Sequence, residues 1–147
     1  PASRGDGQHP GGRAGLMDRA EKAGLGVAIA GHAALLAALS LGFANSKLLV
    51  VLIGANTKYL TKFVKWELEV ALRLGLPIIG VNLNGSRKMD DGCPPTIRDQ
   101  LVVYTSFNHN IIEHAMDHWP TGIQNLRSAG TTGPHFYNDD VYRRRGL

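Results

Sequence analysis

Leu48–Gly85 reads LLVVLIGANTKYLTKFVKWELEVALRLGLPIIGVNLNG, and its apolar pattern decides the fold. Leu48–Gly54 is a continuous apolar run containing Val50, Val51 and Ile53. A parallel strand covered on both faces reads this way. Ala55-Asn56-Thr57 forms the loop at its carboxyl end. A helix is predicted over Leu60–Leu74, with Gly75 as its stop. Pro77–Leu83 reads as a second buried strand, closed by a turn at Asn84-Gly85.

Glu67 breaks the pattern of that helix. At about 100° per residue, Leu60, Phe63, Val64, Leu68, Val70, Ala71 and Leu74 share one apolar arc. Lys62, Lys65, Glu69 and Arg73 occupy the other face. Glu67 falls near the middle of the apolar arc. A carboxylate there must be paired, neutral or facing a cavity, because burying it unpaired costs several kcal/mol or more. Such a group either serves chemistry or is tied into a structural network of backbone N–H groups or a lysine.

Composition bounds the reading. A chain of 147 residues suits one domain, and 44% apolar residues is ordinary for a globular protein. The one cysteine, Cys93, rules out an internal disulfide and fits a reducing, cytoplasmic compartment. Net charge is +4, but the charge is dispersed, and its densest cluster is Arg143-Arg144-Arg145. No basic stripe interleaved with aromatics appears, so no nucleic-acid partner is expected.

The flanks are less regular. Pro1–Gly15 is rich in Gly, Arg and Pro and is expected to be poorly ordered. Its Arg4-Gly5-Asp6 tripeptide carries no weight. Leu16–Ala23 can form a short helix. The uncharged run Gly24–Ala44 can be read as a membrane span, a signal sequence or a soluble element. The soluble reading is favoured, with a strand at Gly26–Ala30 and a helix at His32–Phe43. No membrane partner is therefore expected. Downstream, Ser86–Pro95 reads as a polar loop and Leu101–Thr105 as a short strand. Asn110–His118 reads as a helix stopped by Trp119-Pro120, Thr121–Gly133 as loop, and His135–Leu147 as a polar tail. The domain expectation is a poorly ordered or divergent segment over 1–23 and a single domain over 24–147.

Strands alternating with helices predict a three-layer α/β sandwich with a parallel sheet and right-handed crossovers. Ligands in open α/β sheets bind outside the carboxyl ends of the strands, where the Gly54–Thr57 loop lies. That loop can approach a phosphate or ribose with backbone N–H groups, or be a plain strand-to-helix connection without phosphate-loop spacing. Phe63 and Trp66 can stack on a ring or fill the core. His114 and His118 stand four apart on a helix, but no third ligand is evident, so no metal is expected. Cys93 lacks a paired histidine motif, and Asp139-Asp140 reads as a solvated turn.

Val51–Gly54 (VLIG), Phe63–Glu67 (FVKWE) and Pro77–Val81 (PIIGV) resemble the TIR-like sensor domains of Thoeris anti-phage systems. The tail Tyr137–Tyr142 (YNDDVY) is similar to the ending of those relatives, and the resemblance covers roughly Asn45–Leu147. It implies a TIR, flavodoxin-like fold. It also implies that Glu67 is the catalytic carboxylate for cleaving the nicotinamide–ribose bond of NAD; Gly54, Ala55, Asn56, Thr57, Phe63 and Trp66 are the candidates to meet the nucleotide around it. NAD is then a substrate, with no permanently bound cofactor. Self-association and a downstream effector protein are the partners it implies. The family opens with strands of the type V-F-I-S-F or Y-I-A-F, and Pro1–Ala44 carries no such motif. The alternative is a non-catalytic TIR-like interaction or nucleotide-binding module.

Overall fold

The computed structural model describes residues 25–28, 45–59 and 62–147, leaving aside the side chains of 25–28 and 63. The expected loose segment Pro1–Gly15 and the expected helices Leu16–Ala23 and His32–Phe43 lie outside the described residues.

Among the described residues, five strands form one all-parallel sheet in sequence order. They are β1 (Leu25–Ala28), β2 (Leu48–Ile53), β3 (Ile78–Asn82), β4 (Val103–Ser106) and β5 (His135–Phe136). Three helices accompany them: α1 (Phe63–Arg73), α2 (His109–Ser128) and α3 (Asp139–Arg144). The fold is α/β, of the TIR and flavodoxin-like kind. The strand expected at Gly26–Ala30 is β1, and that at Leu101–Thr105 is β4, each displaced by one or two residues.

Strand alternation splits the core into two layers. Leu49, Val51, Ile53, Ile78 and Tyr104 point to one face and pack with Val64, Leu68 and Ala71 of α1. Leu48, Val50, Ile79, Val81 and Val103 point to the other and pack with Ala115, Trp119 and Ile123 of α2. This is why β2 and β3 carry no polar alternation. α1 ends in a Schellman arrangement: Gly75 N–H bonds to Leu72 O at 3.0 Å and Leu76 N–H to Ala71 O at 2.9 Å, with Gly75 at φ +67. Leu74, expected on the apolar arc, caps the helix and is exposed.

The carboxyl-terminal part departs from the sequence reading. The helix expected to stop at Trp119-Pro120 runs through Pro120 to Ser128, so most of the expected loop Thr121–Gly133 is helix. Proline forfeits one helical bond and crowds the preceding turn, at about 3 kcal/mol. Ile111, Ala115, Trp119 and Ile123, spaced by four, are all buried. Their burial at roughly 1.5–3 kcal/mol for each large side chain outweighs that cost. The expected polar tail His135–Leu147 instead supplies β5 and α3, with Tyr142 fully buried. The expected solvated turn at Asp139-Asp140 is the exposed first turn of α3.

One expectation about handedness also fails. The units β2–α1–β3 and β4–α2–β5 advance across the sheet in the same direction with helices on opposite faces. The two crossovers therefore have opposite hands. The right-handed rule arises from strand twist, and β5 has two residues with little twist to impose.

Gly80 and Gly122 test this packing in opposite directions. A Cβ at Gly80 would lie 2.7 Å from Cδ1 of Tyr104, whereas one at Gly122, inside α2, meets nothing within 4 Å. Gly80→Ala is expected to destabilise by roughly 1–3 kcal/mol through overpacking. Gly122→Ala is expected to stabilise by roughly 0.5–1 kcal/mol through helix propensity. Urea midpoints moving in the same direction for both variants would contradict the packing described.

Candidate functional site

Glu67 lies on α1 with Val64 one turn before it and Ala71 one turn after, on the face turned to the sheet. It is 2% exposed. Its Oε2 atom has no hydrogen-bond partner among the described residues. Burial pushes its carboxyl up from about 4.5 to about 7. Near neutral pH this group therefore exists in both protonation states, a property of acids and bases in active sites.

The remaining expected site residues divide. Thr57 locks its own loop: its Oγ1 accepts from Gly54 N–H at 2.8 Å and donates to Leu52 O at 3.4 Å. Thr57 N–H bonds to Gly54 O, and Asn56 O accepts from Tyr59 N–H. The loop is thus a closed turn. Its exposed residues Ala55 and Asn56 are the part free to meet a ligand. Trp66 is partly buried and packs against the α1-side core. Phe63 begins α1, and its side chain lies outside the described residues.

Gly54 and Ala55 line a cleft of about 370 Å³ with Ile53, Lys58, Asn84, Asp90, Asp91 and Gly92. It opens at the carboxyl ends of β2 and β3, where an open α/β sheet binds ligands. Asn84 organises one wall: its Oδ1 accepts from Ser86 N–H and its Nδ2 donates to Asp90 Oδ2 at 2.7 Å. The other oxygen of Asp90 accepts from Gly92 N–H at 2.8 Å. One lysine and two aspartates give the cleft mixed charge, suited to a hydroxyl-bearing ligand more than to a bare phosphate. Glu67 and Trp66 are not among its lining residues.

The sequence reading missed Lys58, Asn84, Asp90, Asp91 and Gly92. A usable signal was present, since the carboxyl-edge rule points to the loop after β3 as much as to the one after β2. Two other buried polar atoms at that edge, Asn82 Oδ1 and Thr105 Oγ1, also lack partners among the described residues.

Elsewhere, the rings of His114 and His118 meet at a tilt, with centroids 4.2 Å apart. Among the described residues no group of three or more His, Cys, Asp or Glu side chains could hold a metal. Cys93 is buried, with its Sγ 3.2 Å from Tyr104 Oη, and burial raises its pKa. No helix among the described residues is long and apolar enough to cross a membrane.

The sheet, its two helical layers and the carboxyl-edge cleft define an α/β domain with a parallel sheet. The family model of the TIR-like domain of the Thoeris protein ThsB matches residues 20–88 and supports a Thoeris-type TIR-like domain there. Such a domain points to anti-phage defence signalling. The matched stretch contains β1, the Gly54–Thr57 loop, Glu67 and Asn84. No curated protein matches the chain.

The carboxyl of Glu67 links site and stability. The folded protein holds that proton to about pH 7, whereas an unfolded glutamate releases it near 4.5. Between these values the folded state binds more protons. Stability therefore falls as pH rises from about 4.5 through 7, by a total of about 3 kcal/mol. Glu67→Gln removes this dependence. Partly buried His135 and His114 have lowered pKa values and act in the opposite sense in both proteins. The difference between wild type and variant isolates Glu67. Urea midpoints across that pH range should converge at low pH and separate at high pH, with the variant more stable. Parallel curves would rule out the shift.

Proposed function

We propose that the protein is a TIR-like NAD glycohydrolase or cyclase of anti-phage defence, with Glu67 as its catalytic carboxylate. One observation carries the reading. Glu67 is buried on the sheet-facing side of α1, and its Oε2 atom has no partner among the described residues. Breaking the C1′–N bond of NAD sends the bonding electrons to nicotinamide and leaves positive charge on the ribose. An ionised Glu67 would offset that charge, and a hydroxyl from water or from the ligand itself would then close on C1′. The mixed-charge cleft of Lys58, Asn84, Asp90 and Asp91 is chemically suited to ribose hydroxyls. The signal released would be ADP-ribose or a cyclic derivative, read by a downstream effector.

A second reading, a non-catalytic interaction module, is favoured by a different observation. Glu67 is almost fully covered and does not line the strand-end cleft. Three of the exposed large apolar side chains, Leu52, Leu83 and Phe107, lie at the carboxyl edge, in or just after β2, β3 and β4. Exposed apolar side chains gathered at one edge suit self-association.

Nicotinamide release from NAD at high protein concentration separates the readings. Catalysis predicts release by wild type that rises as pH passes through about 7, where Glu67 ionises. It predicts a loss of roughly 10²-fold or more in Glu67→Gln. Equal release from both proteins would refute the role of Glu67. If neither releases nicotinamide while Phe107→Glu dissolves an oligomer of the wild type, the interaction module stands.

A further inference from the structure

α3 is short, yet it is capped at its start and tied to β4, to α2 and to the loop after β3. At its start, Asn138 Oδ1 accepts from Val141 N–H at 3.0 Å. In its middle, fully buried Tyr142 places its hydroxyl to accept from Ser106 N–H at 3.4 Å, at the end of β4. The Arg87 guanidinium lies 4.1 Å from the centre of the Tyr142 ring and 3.4 Å from Asp139 Oδ1. At its end, Arg145 O accepts from Asn110 Nδ2 at 3.0 Å, and Arg145 Nη2 lies 2.7 Å from Nδ1 of His114.

We infer that the His114–Arg145 contact is a pH-sensitive latch: it holds α3 on the carboxyl edge of β4, and a proton on His114 releases it. A guanidinium can only donate. The bond therefore requires a lone pair on His114 Nδ1, and hence a neutral ring whose proton sits on Nε2. Protonating Nδ1 removes the acceptor and sets two cations within hydrogen-bond distance.

The surroundings of His114 reinforce this. His118 and Asp117 face it from α2, Arg144 and Arg145 from α3, and the Tyr137 ring at 5.0 Å from the segment before α3. The His118 ring lies 4.2 Å from that of His114 between centres. Its own Nδ1 lies 2.9 Å from His114 O and must donate there. Burial, then His118 and Arg145, lower the His114 pKa, and Asp117 opposes them. The sign follows. Docking of α3 is complete above the ordinary histidine range near 6.5 and is lost as pH falls below it.

Hydrogen exchange of the whole chain, followed by mass spectrometry and corrected for intrinsic rates, tests it. The pH values are about 7.5 and about 5.5, on either side of the histidine range. Peptides over α3 should lose protection at the lower pH, by on the order of tenfold for each unit of docking-induced pKa depression. Peptides over β3 should not. His114→Gln supplies an amide oxygen that accepts without titrating, so protection of α3 should stay level. Arg145→Ala should lower protection of α3 at the higher pH towards the level wild type shows at the lower, and so flatten its pH dependence. Three results would overturn the latch: no loss in wild type, equal loss in His114→Gln, or parallel loss over β3.

Discussion

The pairing of β2 with β3 is the constraint on which the rest depends. Five residues of each strand are in register, from Leu49 with Ile78 to Ile53 with Asn82. Each strand sends alternate side chains into opposite cores, so neither core exists without this pair. The ladder also sets where both strands end. Those ends place the Gly54–Thr57 turn beside Asn84, which holds Asp90 in the cleft wall. α1 returns the chain across one face, and its burial of Val64, Leu68 and Ala71 takes Glu67 with it.

The central unit was legible because buried parallel strands leave an unmistakable local mark. Val50, Val51 and Ile53 in one run, and Ile78, Ile79 and Val81 in the next, admit few other readings. Glu67 was legible for the same reason: helical periodicity alone puts it on the buried arc. The carboxyl-terminal part hid its structure in contacts between distant residues. Tyr142 sits in the string DDVYRRR, which reads as solvated, yet its partner Ser106 lies 36 residues earlier. β5 exists because His135 N–H reaches Val102 O. Pro120 is a local stop signal that tertiary burial overrides. The cleft residues Lys58, Asn84, Asp90 and Asp91 look like ordinary turn residues until the sheet brings their loops together.

Glu67 stands in tension between two demands. Catalysis on a ribose needs a carboxylate that is ionised and reachable. The packing of α1 needs that same position dry. A pKa near 7 is the physical expression of the compromise, since burial without a charge partner is what raises it. Any movement that admits water or a ligand to Glu67 would lower its pKa and favour the charged form. Opening and ionisation are therefore thermodynamically coupled, and a ligand that stabilises the anion also stabilises the open arrangement.

The wall of the cleft depends on a residue with no side chain. Gly80 pairs with Tyr104 across β3 and β4, and the phenol ring lies where a Cβ on Gly80 would stand. From there Tyr104 Oη reaches Ile97 O at 3.1 Å and Cys93 Sγ at 3.2 Å. Arg98 ties the same loop by donating to Cys93 O at 3.0 Å. Cys93 N–H in turn bonds to Asp90 O, so the anchored loop carries Asp90 and Gly92 directly. A vacancy in the middle of the sheet thus permits one ring to pin the loop that forms the cleft's acidic side. Core and site are not separable here: a change of one methyl group at Gly80 would be transmitted through Tyr104 and Cys93 to Asp90.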